Sequence, residues 1–200
     1  LRFPGFEGEW KSKKLGEITS WSSGGTPSKD NPLFWNGDIP WISASSMRGL
    51  IYSDSELKIT QAGLKKGSKL VSKGSLLILV RGSMLFKKIP IGIVLKDVAF
   101  NQDVKSIVVN DCSTSEYILN WFLFSEPKVL SMVTGTGIGA GKLDLQDLKE
   151  LEIKIPTIPE QQKISKFLSL IDERIHTQNK IIKELKLLKN TIRYQLYKQI

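Results

Sequence analysis

The stretch Ile153-Lys154-Ile155-Pro156-Thr157-Ile158-Pro159-Glu160-Gln161-Gln162-Lys163-Ile164 divides the chain into two kinds of sequence. Beyond it there is no further proline, and the last glycine is Gly141. Pro159 suits the first turn of a helix, where its missing N–H has no partner to lose. The spacing therefore predicts one helix from about Pro159 to near Ile200. About forty helical residues span roughly 60 Å, which calls for a packing partner. Steps of four and three from Ile164 reach Leu168, Ile171, Ile175, Gln178, Ile182, Leu185, Lys189, Ile192 and Leu196. Ile164 and the apolar seven of these later positions form a heptad seam for dimerisation. Phe167, Leu170, Ile181 and Leu188 widen the stripe on one flank. Gln178 and Lys189 interrupt it, as register-setting residues or as side chains turned to water.

Before that boundary the chain is punctuated by glycine, proline and serine. Turns are expected at Ser23-Gly24-Gly25-Thr26-Pro27-Ser28, Asn36-Gly37-Asp38 and Lys73-Gly74-Ser75. Short β-rich stretches lie between them: Ile39–Ser43, Leu76–Val80, Ile89–Leu95 and Ser106–Val109. Ser115 is placed to cap a helix over Tyr117–Phe124 that ends at or before Pro127. Asp144 is placed to cap a short helix at Leu145–Leu148. The fold class is thus mixed α/β: a globular domain over 1–155 with short irregular strands, then a long coiled-coil helix over 156–200.

The chain has 200 residues, 29 of them Lys or Arg and 20 Asp or Glu, for a net charge of +9. Such an excess favours an anionic partner, nucleic acid foremost. A 40% hydrophobic content excludes a wholly disordered chain. No run approaches the roughly 20 apolar residues of a membrane helix. Leu76–Val80 spans five residues and stops at Arg81. The expected location is cytoplasmic, with no membrane partner. Cys112 is the one cysteine, so neither an internal disulfide nor a four-cysteine metal site can form.

Patterns for catalysis fail on inspection. Gly135-Thr136-Gly137-Ile138-Gly139-Ala140-Gly141-Lys142 has the composition of a phosphate loop. Thr136 stands where its first glycine belongs, and Leu143 where a hydroxyl must follow the lysine. The stretch reads either as a backbone that approaches phosphate closely or as a flexible connection. Cys112 and His176 lie too far apart to suggest a metal cluster. Catalytic and metal-binding residues are therefore assigned to none.

The remaining signals suit DNA. Of five tryptophans, Trp35 and Trp41 flank a turn and suggest a local core. Ser43, Ser45 and Arg48 follow a strand, Arg81 and Ser83 end the strongest one, and Lys87 and Gln102 lie close to others. Arginine reads guanine and glutamine reads adenine in the major groove, while lysine and hydroxyls hold phosphate. These seven residues are the candidate DNA contacts.

A family resemblance converges on this reading. Arg2-Phe3-Pro4-Gly5-Phe6, Gly8-Glu9-Trp10 and Lys14-Leu15-Gly16-Glu17-Ile18 resemble the entry to a target recognition domain of a Type I restriction–modification specificity (S) subunit. So do Gly24-Gly25-Thr26-Pro27-Ser28 and Gly37-Asp38-Ile39-Pro40-Trp41-Ile42. Gly74-Ser75-Leu76-Leu77, Arg81-Gly82, Phe100-Asn101-Gln102-Asp103 and Gly135-Thr136-Gly137 continue the match, and the boundary stretch with Leu170-Ile171-Asp172 closes it. The resemblance implies a non-catalytic subunit whose domains each read one part of a split double-stranded DNA target. It implies methylation (M) and restriction (R) subunits as partners, which bring S-adenosylmethionine, ATP and magnesium. This chain would hold no cofactor. Such a subunit usually has two recognition domains and two long helices; one of each here is the expectation for a half-subunit or a fragment. Self-association through the seam is expected to give a homodimer and a palindromic split target. The rival reading is a coiled-coil scaffold whose globular domain binds protein.

Overall fold

A computed structural model describes residues 2–137 and 139–198. The strands, in chain order, are β1 (Lys11–Lys14), β2 (Thr19–Ser23), β3 (Trp35–Ile42), β4 (Ile51–Tyr52), β5 (Lys58–Ile59), β6 (Lys69–Val71), β7 (Leu76–Leu79) and β8 (Arg81–Gly82). They continue as β9 (Ile91–Val94), β10 (Val98–Phe100), β11 (Val104–Val109), β12 (Thr134–Gly135), β13 (Gly141–Lys142) and β14 (Glu152–Ile155). The helices are α1 (Leu15–Ile18), α2 (Gln61–Gly67), α3 (Ser115–Phe124), α4 (Glu126–Ser131), α5 (Leu145–Lys149) and α6 (Ile158–Lys198).

Strand β7 anchors the larger core. It lies inside a sheet ordered β2-β11-β7-β9-β4, and Leu76, Leu77, Ile78 and Leu79 are all fully buried. A strand covered on both faces reads as an unbroken apolar run, which explains why no alternation marks it. A second sheet is ordered β5-β3-β10-β6. There Trp41, Ile59 and Ala99 form a small core with Trp35 against it. The two indole rings meet edge to face at 5.3 Å, a favoured aromatic geometry. Strand β1 pairs antiparallel with β14, so the start of the globular unit is closed by its end.

Local chemistry places several elements differently from the sequence reading. Asn36 and Gly37 form no free turn. They lie inside β3 at an irregularity where the register against β5 shifts between Trp35 and Ile39. Asn36 takes a left-handed φ of 61°. Gly37 is required because a Cβ there would stand 2.5 Å from the Ile59 carbonyl oxygen. Ser115 is not the cap of α3. Thr114 Oγ1 accepts the Tyr117 N–H at 3.2 Å, while the Ser115 hydroxyl donates to the Gly74 carbonyl. That helix ends at Phe124, and Pro127 sits in the first turn of α4. Asp144 caps α5 as expected, accepting the Gln146 N–H at 2.8 Å. The glycine-rich stretch is no simple connection: β12 pairs with β13, and β13 pairs with β8. Ile138 of this stretch lies outside the described residues.

The chain separates into two units, residues 1–162 and 163–200. The sequence reading set the division at 155/156. The first turn of α6 belongs to the globular unit because its side chains are locked there. Glu160 and Gln161 are fully buried. Arg2 Nε donates to Glu160 Oε1 at 2.7 Å and its Nη2 to Oε2 at 2.8 Å. These hydrogen bonds hold the Glu160 carboxyl below its ordinary value of 4.5, against the upward push of burial. A carboxyl with a depressed folded pKa stabilises the fold above its unfolded value and loses that contribution as pH falls through the folded value. Glu160→Gln should therefore flatten the acid limb of a thermal-melt series below pH 4.5. An unchanged limb would refute this assignment.

In the second unit, residues 163–198 are helical. Leu168, Ile171, Ile175, Ile182, Leu185, Ile192 and Leu196 are all exposed on this arm, and Ile164 is half-buried. No described helix is long and apolar enough to cross a membrane.

Candidate nucleic-acid interface

The site is assembled at the ends of strands. Strands β3 and β10 run parallel, with Ile42 opposite Phe100. Just past them the Asn101 N–H donates to the Ile42 carbonyl at 3.0 Å. Asn101 is buried. Its Oδ1 accepts from the N–H groups of Asp103 at 3.2 Å and Val104 at 3.1 Å. This asparagine builds the turn, as its side chain commonly does, and leaves the neighbouring Gln102 exposed. The turn then meets the end of β7, where the Val80 N–H donates to the Asp103 carbonyl at 2.8 Å. Val80 in turn accepts from the Leu143 N–H at 2.9 Å. Three backbone segments, carrying Gln102, Arg81 and Lys142, are thus laid side by side.

Together with α5 they line a groove of about 620 Å³. Its walls include Arg81, Gln102, Lys105, Lys142, Gln146 and Lys149. Four cations face two carboxylates, Asp103 and Asp144. Both carboxylates already have work: Asp144 caps α5, and Asp103 accepts from Asn101 Nδ2 at 3.2 Å. None of the four cations has a carboxylate ion-pair partner among the described residues. Arg81 and Lys142 stand directly opposite each other across the β8–β13 pair. Like charges in that position destabilise a sheet, and an anion between them reverses the sign. Lys105 Nζ donates to Ser23 Oγ at 2.7 Å and to the Gln102 carbonyl at 2.9 Å. Burial pushes its pKa down, with Asp103 opposing weakly. An ammonium already stripped of part of its water meets an anion at a smaller desolvation cost.

Of the seven sequence candidates, Arg81 and Gln102 line this groove. Ser43 and Ser45 share a hydrogen bond of 3.0 Å across the short 3-10 turn at Ala44–Ser46. That turn abuts the strand of Arg81, since a Cβ on Gly82 would lie 4.0 Å from the Ala44 Cβ. Ser83 opens the next 3-10 turn, Ser83–Phe86, and exposed Lys87 ends it. Arg48 is exposed after the buried Met47. Ser43, Ser45, Arg48, Ser83 and Lys87 are not among the groove's lining residues. Lys105, Lys142 and Lys149 line the groove but stand outside the sequence candidates. Lys142 closes the glycine-rich stretch and reaches the groove through the pairing of β13 with β8, while Lys149 comes from α5, the short helix that follows.

Comparison with known proteins accords with this geometry. The family described as the Type I restriction modification DNA specificity domain matches residues 7–187. The specificity subunit of the Type I restriction enzyme EcoR124I/EcoR124II of Escherichia coli is 36% identical over 168 residues, covering 83% of this chain and 42% of its own. The MjaIX specificity subunit of Methanocaldococcus jannaschii is 31% identical over 188 residues, covering 90% and 42%. The chain thus spans about two-fifths of the length of these curated relatives. In fold it resembles the HsdS subunit of Thermoanaerobacter tengcongensis, with a TM-score of 0.63 at 16% identity over 87% of this chain and 40% of that one. It also resembles the Type I S subunit of M. genitalium, with a TM-score of 0.58 at 17% identity over 88% and 41%. With most of its length matched by one family, the chain belongs to the Type I restriction–modification DNA specificity domain family.

Proposed function

We propose that this chain reads one part of a bipartite DNA target and positions the methylation and restriction subunits of a Type I complex in the cytoplasm. The observation that carries this reading is the groove in which Arg81, Lys105, Lys142 and Lys149 lack acidic ion-pair partners among the described residues. Arg81 and Gln102 are assigned to base edges, the lysines to phosphates. Ser43, Ser45, Arg48, Ser83 and Lys87 supply further contacts around the groove. The chain itself is non-catalytic. S-adenosylmethionine, ATP and magnesium belong to the partner subunits.

The arm supplies the second part of the proposal. Its exposed apolar stripe from Ile164 to Leu196 joins two copies into a homodimer, and a two-fold dimer reads a split palindrome.

Salt dependence of duplex binding tests the reading. If each of the three groove lysines neutralises one phosphate, log K falls against log salt with a slope of about −2.7 per domain. Lys149→Ala should reduce that slope by about 0.9 and weaken all sequences alike. Binding that ignores salt would overturn the assignment. The measurement is fluorescence anisotropy on labelled duplex, with methylation subunits present.

A further inference from the structure

Gln178 and Lys189 break the apolar seam of α6, and both are exposed. Neither side chain has a hydrogen-bond or ion-pair partner among the described residues. When two copies pair through the seam, these two residues must go somewhere. In a parallel pair every position meets itself, so Lys189 would face Lys189, two ammoniums in one layer. In an antiparallel pair the register decides what each residue meets. One register sets Gln178 opposite Lys189 of the second copy. The same register sets Ile171 opposite Leu196, Ile175 opposite Ile192 and Ile182 opposite Leu185, so these layers are wholly apolar. A slip of one heptad one way sets Gln178 against Ile182 and Lys189 against Ile171; the other way, against Leu196 and Leu185. Both slips bury an amide and an ammonium against hydrocarbon, at a cost no partner offsets.

We infer that Gln178 of each copy pairs with Lys189 of the other, and that this polar layer selects a second copy of the chain in one register. The inference rests on the homodimer proposed above. The Lys189 ammonium donates to the Gln178 amide oxygen, and two-fold symmetry makes the contact twice. The flanks of the seam agree with this register. Asp172 and Arg193 each follow a seam position by one residue, Ile171 and Ile192, and so share one flank. There the register brings Asp172 opposite Arg193 of the second copy. Both are exposed and lack an ion-pair partner among the described residues. On the other flank Ile181, 43% exposed, meets Leu188, 54% exposed. Polar, charged and apolar positions are thus matched together by one alignment of the two helices. At about 1.5 Å per residue it holds the two copies of Lys166 roughly 50 Å apart along the pair.

The test is sedimentation equilibrium of the full chain. Gln178→Glu sets a carboxylate opposite the Lys189 ammonium twice per dimer and should lower the dissociation constant roughly tenfold. In a parallel pair the same change sets two carboxylates face to face, and in a slipped register it buries them against isoleucine or leucine; each weakens the dimer. Asn190→Glu, the same charge change away from the seam, should stay within about twofold of wild type. Asp172→Arg and Arg193→Asp should each weaken the dimer roughly tenfold, although they change net charge in opposite directions, and the two together should restore it. A nitroxide on Lys166→Cys, with Cys112→Ser, should report a separation near 50 Å by pulsed electron resonance, where a one-heptad slip shifts it by about 10 Å. A dimer that Gln178→Glu weakens or leaves unchanged, or that the double charge exchange fails to restore, overturns the inference and leaves the homodimer standing. A chain monomeric at all concentrations overturns both and gives the stripe to a different helix.

Discussion

Gln161→Ala should lower the melting temperature by roughly 10 °C, among the largest single-residue effects in this domain. The side chain is fully buried. Its Oε1 accepts from Ser113 Oγ at 2.9 Å and from the Thr114 N–H at 3.0 Å. Its Nε2 donates to the Cys112 carbonyl at 3.0 Å and to the Pro156 carbonyl at 2.9 Å. Truncation leaves four polar groups without that partner, each at about 1–3 kcal/mol if it stays dry. Water entering the vacated space recovers part of this, leaving about 3–4 kcal/mol. In a domain of this size each kcal/mol moves the transition by about 2–4 °C. Gln162→Ala, at an exposed neighbouring position, should fall within about 0.5 kcal/mol of wild type. Circular-dichroism melts of the two variants decide the matter. Equal losses would mean that the amide's hydrogen bonds do not anchor the helix start.

Replacing Ile182 and Leu185 together by glutamate should abolish self-association. Both side chains are exposed on the arm. Burying a side chain of this kind is worth about 1.5–3 kcal/mol, and a two-fold interface loses each twice. Four new carboxylates would also have to leave water. A weakening of at least about 4 kcal/mol raises the dissociation constant roughly a thousandfold. Sedimentation velocity should give a dimer for wild type and a monomer for the variant, with an unchanged melt of the globular unit. A variant still dimeric would remove the seam from the proposal. Wild type monomeric at all concentrations would remove the homodimer itself.

The elements most legible in the sequence were those written in long or continuous patterns. Leu76–Leu79 announced a buried strand by its unbroken apolar run, and the absence of proline and glycine announced the arm. Short strands such as Lys58–Ile59 and Val98–Phe100 carry too few residues for any period to show. Their existence depends on distant partners. Thr114 and Ser115 are both sound caps by chemistry; the choice fell to Thr114 because Ser115 is drawn off to Gly74. Asn36-Gly37 has turn chemistry but serves a bulge, since Ile59 lies against it. The candidate groove was half visible. Arg81 and Gln102 stood beside strand signals, whereas Lys142 joins them through the pairing of β13 with β8 and Lys149 through α5, the helix that follows β13. Strand order, not residue type, places them there.

The backbone junction at Val80 has one further consequence. Its N–H and carbonyl tie Asp103 and Leu143 together, so the segments bearing Arg81, Gln102 and Lys142 are joined there without using any of those three side chains. All three side chains are exposed, where exchange for another residue rarely costs more than about 0.5 kcal/mol of stability. On the proposed reading, shape and DNA contact therefore reside in different atoms. A scaffold of that kind would be retargeted one side chain at a time, without passing through a sequence that fails to fold.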